Sequence, residues 1–338
     1  MASTLHDVAK AAGVSIKTVS NVIHAHPHIS APTRERVEAA IEALQYRPNR
    51  AARSLRSGRS DLIALIVPSL RNPYFAELAD DVMRAARSHG YSVLIDQFDM
   101  TGEGELSALR GANRYGVDGI LHCVVSLGTQ DAALLDELAM PVVLLGERIF
   151  HSTHDHVSMR NVEGATAATE HLIAGGCRRI LAFGAHPGEA AGTAGLRLRG
   201  YETALNEAGI HLDEKLVVPV DRWHRIDGAD AMRSVLDSGV QFDGIVAFND
   251  SLALGALRVL RESGLRVPDD VALIGFDDLD ETRYSQPALS TIDPDRSAIA
   301  AAAVELLLRR VRGDVDDAPA EILIDCALVS RESSVTTQ

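Results

Sequence analysis

Apolar residues along this 338-residue chain follow two rhythms, and the change falls near residue 60. Before it, Leu5, Val8, Ala9 and Ala12 recur at helical spacing, as do Val19, Val22 and Ile23, and then Val37, Ala40, Ile41 and Leu44. Each set covers one face of a short helix. Beyond it, continuous apolar runs at 62–67, 92–96, 119–124 and 142–145 alternate with amphipathic stretches such as 74–89. A second series follows at 180–183, 216–220, 244–248 and 271–276. Runs this continuous suit strands buried on both faces of a parallel sheet, with helical crossovers between them. The pattern predicts an all-α head joined to an α/β body of two doubly wound parallel-sheet lobes. A helix over 296–310 and a strand over 321–325 would return across both lobes. The implied boundaries are 1–48 for the head, 49–60 for a linker and 61–338 for the body. The first lobe takes about 61–160 and 293–320, the second about 161–292 and 321–338.

Punctuation within the head sets its topology. Thr4 caps the first helix with Asp7 at its third position, close to a capping box, and Gly13 ends it in a conformation costly for other residues. Ser15 caps the second helix. Ser30 caps the third, with Pro32 in the first turn, where its missing N–H is harmless. Small Ala9, Gly13 in the tight turn and apolar Val19 let the first two helices cross closely and lock, which is the helix-turn-helix arrangement. On the side of the second helix away from Val19 and Val22 lie Ile16, Lys17 and Asn21. Lys17 can donate to guanine, Asn21 can pair with adenine, and Ile16 can pack on a thymine methyl. Ser15, Thr18, Ser20, His24, His28, Ser30 and Thr33 are polar groups suited to phosphate contacts. Beyond Pro48, Asn49 and Gly58 bracket a stretch too short to be a stable helix alone, carrying Arg50, Arg53, Arg56 and one large apolar residue, Leu55. A hinge helix ordered by DNA would drive Leu55 between base pairs in the minor groove. A basic linker with one buried leucine is the plainer alternative.

Charge supports the first of these. Residues 1–60 carry nine Lys/Arg against four Asp/Glu, whereas the whole chain carries 33 against 47, for a formal net charge of −14. A basic head on an acidic body points to nucleic acid as the head's partner, since a polyanion attracts one and repels the other. No apolar run approaches a membrane span, and the N-terminus lacks a basic region followed by an apolar one. Cys123, Cys177 and Cys326 are widely spaced, which fits reduced thiols. A location in the bacterial cytoplasm follows as the expectation.

In open α/β lobes ligands bind beyond the carboxyl ends of the strands. Those ends offer Ser69, Tyr74 and Phe75 after the first run and Glu147 after the fourth. Later come Trp223 (the only tryptophan), Asn249-Asp250 and Asp277-Asp278, with Arg197 opening a helix. Singly each reads as a cap or as core. Together they suit a polyhydroxylated ring, with carboxylates, an amide and a guanidinium for hydroxyls and an aromatic plane for the C–H face. A sugar is favoured, and a nucleoside is the alternative because Tyr74 and Phe75 could stack on a base. Neither GxGxxG nor GxxxxGK[ST] occurs, and Asp277 and Asp278 would point apart as neighbours at a strand end, so no enzyme and no cofactor are expected. His151, His154 and His156 lack a fourth spaced ligand and read as a polar loop, not a metal site. The rival to DNA binding is a sugar-binding protein or sugar-active enzyme without regulatory output.

The run from Thr4 through Ala12-Gly13-Val14-Ser15 to Thr18-Val-Ser20, the Ser30-Ala-x-Thr33-Arg-Glu-Arg-Val37 segment and Tyr46-x-Pro48-Asn-x-x-Ala-x-x-Leu55 resemble the lactose/galactose-repressor (LacI/GalR) family. So do Asn72-Pro-Tyr-Phe75, Arg197-x-x-Gly-Tyr201, Phe248-Asn-Asp250 and Gly275-Phe-Asp-Asp278, and the resemblance spans nearly the whole chain. It implies a homodimeric, ligand-controlled repressor that binds a pseudo-palindromic operator. Ile16, Lys17 and Asn21 would read bases, and paired Leu55 wedges would kink the site. The body would be of periplasmic-binding-protein type, crossed three times by the chain. Arg197, Asn249 and Asp277 would hydrogen-bond the effector while Trp223, Tyr74 and Phe75 pack on it. Glu147 stands where sugar-responsive relatives often carry an acid, and Arg296 where some carry an aromatic. Tetrameric members add a C-terminal leucine heptad; the segment 333–338 has none, so the resemblance implies a dimer.

Overall fold

The computed structural model describes residues 3–23, 26, 28–46, 59–98, 102–138, 140–186, 188–189, 191–314 and 318–335. Residues 1–60 and 61–338 form two compact units.

In the first unit, α1 (Leu5–Ala12), α2 (Ile16–Ile23) and α3 (Ala31–Ala43) pack around Val8, Val19 and Val37, all fully buried. The Thr4 hydroxyl accepts the Asp7 amide at 3.3 Å, and the Asp7 carboxylate accepts the Thr4 amide at 2.9 Å, completing a capping box. Gly13 ends α1 at φ +66°, where a side chain would be strained. Ser15 Oγ accepts the Thr18 amide at 3.1 Å and so caps α2. Ser30 starts α3 without capping it: its hydroxyl donates to Thr33 Oγ1 at 2.9 Å.

The second unit begins with β1 (Leu62–Val67), α4 (Pro73–Ser88), β2 (Ser92–Gln97), α5 (Gly102–Ala112), β3 (Gly119–Cys123), the short α6 (Ala132–Leu135), β4 (Val142–Leu145) and β5 (Asp155–Met159). There follow α7 (Asn161–Ala174), β6 (Ile180–Ala185), α8 (Thr193–Glu207), β7 (Val217–Pro219), α9 (Arg225–Ser238), β8 (Gly244–Ala247), α10 (Asp250–Glu262), β9 (Ala272–Ile274) and β10 (Thr291–Asp293). Last come α11 (Arg296–Arg312), β11 (Glu321–Ile324) and β12 (Ala327–Val329). The first lobe holds a parallel sheet in the order β11-β5-β4-β3-β1-β2, and the second a parallel sheet in the order β7-β6-β8-β9. Antiparallel β10 and β12 form a two-stranded pair. Because α11 packs on α4 and across β3, β4 and β5, it belongs to the first lobe. The chain therefore passes between lobes at about 160, 294 and 325. All eight apolar runs are strands, as their continuity requires.

Two assignments change. The histidine-rich segment expected to be a polar loop contributes β5, whose five residues are all buried. The strand expected over 321–325 is β11, which lies beside it with Ile322 opposite Val157 and so joins the first lobe and not the second; the crossover falls after it. Both outcomes follow from side-chain pairing. Arg310 of α11 grips the Asp155 carboxylate with Nε at 2.7 Å and Nη2 at 2.9 Å, and the Ala320 amide donates to the same group at 2.8 Å. With its acid neutralised and its backbone in a ladder, a polar segment can be buried. Among the described residues no helix is long and apolar enough to cross a membrane.

Candidate functional site

In the head, helical geometry turns Val19 and Val22 to the core and leaves Ile16 41% exposed, Lys17 exposed and Asn21 half-buried on the same short helix. Hydroxyls cluster at the starts of α2 and α3: Ser15 Oγ lies 2.9 Å from Thr18 Oγ1, and Ser30 is joined to Thr33. Unsatisfied amides and aligned peptide dipoles at such termini favour an anion. His28 is exposed and Ser20 half-buried. His24 and Leu55, the remaining phosphate candidate and the wedge, lie outside the described residues.

In the body, the strand ends converge on Arg197, 2% exposed on α8. Its Nε donates to Asn161 Oδ1 at 2.8 Å and its Nη1 to the Phe248 carbonyl, while Nη2 stands 3.6 Å from Asp277 Oδ1. The guanidinium lies over Phe276, 3.5 Å from the ring centroid, and 5.6 Å from the Trp223 ring. Stacking of this kind suits a planar cation that is poorly hydrated. Asn161 Nδ2 donates onward to Glu147 Oε1 at 3.0 Å, and Thr193 Oγ1 to Glu147 Oε2 at 2.5 Å. Arg197, Asn161 and Glu147 thus form one continuous polar chain between the lobes.

Trp223 donates from Nε1 to the Gly184 carbonyl at 3.1 Å, so its indole is oriented, with Phe248 edge-on at 6.3 Å. Asn249 is less available than expected. Its Oδ1 caps α10 through the Leu252 amide at 2.8 Å, and its Nδ2 donates to the Trp223 carbonyl at 3.2 Å. Tyr74 and Phe75, half-buried at the start of α4, meet edge to face at 5.3 Å. Ser69 is half-buried in the preceding loop, where its hydroxyl accepts the Arg71 amide at 3.2 Å.

The two adjacent acids do point to different partners, but through left-handed backbone, with φ +118° at Asp277 and +45° at Asp278. Asp278 faces Arg283 at 3.1 Å and Arg331 at 2.5 Å. Asp277 faces the cleft; burial pushes its carboxyl up to about 7, although Arg197 and Arg296 oppose the shift. Burial, then the nearby Asp277 charge, holds Asp250 well above the usual carboxylate range. Burial and then the charges of Asp277 and Glu147 raise the Tyr74 phenol, which marks the three as neighbours. Asn161, Thr193 and Glu77 escaped the sequence reading. Asn161 directly follows β5, so recognising that strand would have exposed it.

The histidine-rich tract is divided among separate partners. His151 lies 3.2 Å from Glu321, His154 3.7 Å from Asp136, and His156 bonds the Gly146 carbonyl.

Comparison with known proteins matches residues 4–49 to the lacI family of bacterial regulatory proteins and residues 169–334 to a periplasmic binding protein-like domain. The HTH-type transcriptional repressor PurR of Pasteurella multocida is 35% identical over 314 residues, covering 91% of this chain and 92% of that protein. The crystal structure of the lac repressor dimer bound to operator and the anti-inducer ONPF is 29% identical with a TM-score of 0.85, covering 99% of this chain and all of that one. A complex of the transcriptional regulator CelR with cellobiose is 33% identical with a TM-score of 0.72, covering 98% and 99%.

Proposed function

The chain belongs to the lacI family of bacterial regulatory proteins, which are DNA-binding, non-enzymatic and equipped with a ligand-binding domain, and on that premise we propose that it is a sugar-controlled repressor. It acts in the cytoplasm as a homodimer on a pseudo-palindromic operator. Ile16, Lys17 and Asn21 read bases, and Leu55 is the wedge at the centre of the site. Ser15, Thr18, Ser20, His24, His28, Ser30 and Thr33 hold phosphates.

The cleft around Arg197 carries the effector reading. Its buried guanidinium is already committed to Asn161, the Phe248 carbonyl and Asp277, and the Glu147 and Asp277 carboxyls are buried beside it. Such a surface repels anions and accepts hydrogen bonds from hydroxyls, while Trp223 offers an aromatic face. Neutral sugars fit this chemistry better than sugar phosphates. Asp277, Glu147 and Ser69 accept or donate to hydroxyls, and Tyr74, Phe75 and Trp223 pack against the ring; Asn249 supports Trp223 more than it binds. Effector binding in one cleft alters operator affinity by a coupling that is reciprocal.

Titration of the single tryptophan's fluorescence with neutral sugars (cellobiose and ribose among them), sugar phosphates and purines tests the reading. A saturable response to a neutral sugar, altered when operator is present, is the expected result. A response confined to purines or their nucleosides would replace the sugar with a ligand whose base stacks on Tyr74 and Phe75. Silence toward every compound would remove the effector assignment.

A further inference from the structure

Arg296 opens α11 in the first lobe and reaches the last loop of the second. Its Nη1 donates to the Asp277 carbonyl, and its Nη2 donates to the Asp278 carbonyl at 3.2 Å and pairs with Glu77 Oε2 of α4 at 2.6 Å. The other Glu77 oxygen accepts the Asp280 amide at 3.2 Å. One carboxylate on α4 therefore holds the 277–280 loop twice, directly and through Arg296. The carbonyl that Arg296 anchors belongs to Asp277, whose left-handed backbone needs such restraint. Around the Asp277 side chain stand Arg197 from α8, Glu147 beyond β4, Tyr74 and Glu77 from α4, Arg296 from α11 and Asp250 from α10.

We propose that Arg296 and Glu77 are positioning residues that clasp the backbone of the 277–280 loop of the second lobe, which carries the Asp277 carboxylate, to α4 of the first, so that the charge state of that carboxylate and the placement of α4 are coupled. The inference rests on the reading of the cleft as the effector site and names how that site is regulated. A sugar hydroxyl donating to Asp277 favours its ionised form, and through the Asp277 carbonyl, the Arg296 guanidinium that holds it and the ion pair with Glu77 the same event reaches α4. The charges give the clasp a signature beyond rigidity: Arg296 favours ionised Asp277 and Glu77 disfavours it.

The test follows the Asp277 carboxyl ¹³C signal of the full-length protein against pH, with Asp277→Asn identifying the signal. The midpoint moves to higher pH in Arg296→Met, returns toward the wild-type value in Arg296→Lys, and moves to lower pH in Glu77→Gln. Backbone amide signals of residues 74–78 titrate with the same midpoint in the wild type and lose that response in Glu77→Gln. Should Arg296→Met fail to fold, Glu77→Gln decides alone. An unmoved midpoint in folded Glu77→Gln, or amides on α4 that never follow Asp277, overturns the clasp. No effector is needed, so a clasp that passes while Trp223 ignores every compound would sink the effector reading and leave the clasp intact.

Discussion

Gly200 sits on α8 one turn beyond Arg197, where α8 crosses α7. An added Cβ would lie 2.3 Å from the Val162 carbonyl oxygen, 2.8 Å from Ala165 Cβ and 2.9 Å from the Thr166 amide nitrogen. Two of those atoms are backbone, so no side-chain rotation relieves the clash and the helices must separate. Overpacking costs about 1–3 kcal/mol, and the upper part of that range applies when backbone has to move. Alanine's better helix propensity returns up to about 1 kcal/mol. Gly200→Ala should therefore lose about 1–2 kcal/mol of stability, read as a lower midpoint in urea unfolding followed by circular dichroism. Gly111→Ala on α5 is the matched control. Its Cβ meets nothing within 4 Å, so propensity acts alone and stability rises by about 0.5–1 kcal/mol. The helix separation also reaches the cleft, because Arg197 on α8 is tied to Asn161, the first residue of α7, and Trp223 emission should change with it. A Gly200→Ala protein as stable as the wild type, beside a stabilised Gly111→Ala, would refute the close-contact account.

Removing Arg310 leaves the Asp155 carboxylate, whose side chain is 2% exposed, without its cation, and Arg310→Met should cost about 3–5 kcal/mol by the same unfolding assay. Asp277 makes stability depend on pH. Its folded value is raised from 3.8 to about 7, so the folded state holds the extra proton and stability falls as pH rises through that window. The stability of Asp277→Asn relative to wild type should accordingly improve between pH 4 and pH 7, and a difference that stays constant would show that Asp277 is ionised throughout. Lys17→Ala should lose about 1–3 kcal/mol on the preferred operator and discriminate less between bases there. Equal losses on operator and random DNA in a binding titration would make Lys17 a phosphate contact.

Some of this architecture was decided locally. The capping box at Thr4, the left-handed stop at Gly13 and the faces of α1, α2 and α3 depend on residues within a few positions of one another, and they are visible in the chain as written. The parallel strands are equally legible, because a strand buried on both faces must be apolar throughout and Leu62–Val67 or Val142–Leu145 is just that. Strand ends then named Glu147, Trp223 and Asp277, and a helix start named Arg197, as cleft residues. What stayed hidden depended on partners remote in sequence. Asp155-His156-Val157-Ser158-Met159 reads as polar until Arg310, 155 positions away, neutralises its acid, and β11 joined the first lobe by pairing with the strand so buried. Asn249 looked like a ligand until its amide was found spent on a cap and on the Trp223 carbonyl. Arg296 looked like an anomaly until Glu77, 219 positions before it, supplied the countercharge. Caps, turns and hydrophobic periodicity are fixed by short-range sterics and water, which the sequence carries. The burial of a charge is fixed by the particular opposite charge or hydrogen-bond partner that folding brings against it, and only the tertiary structure supplies that.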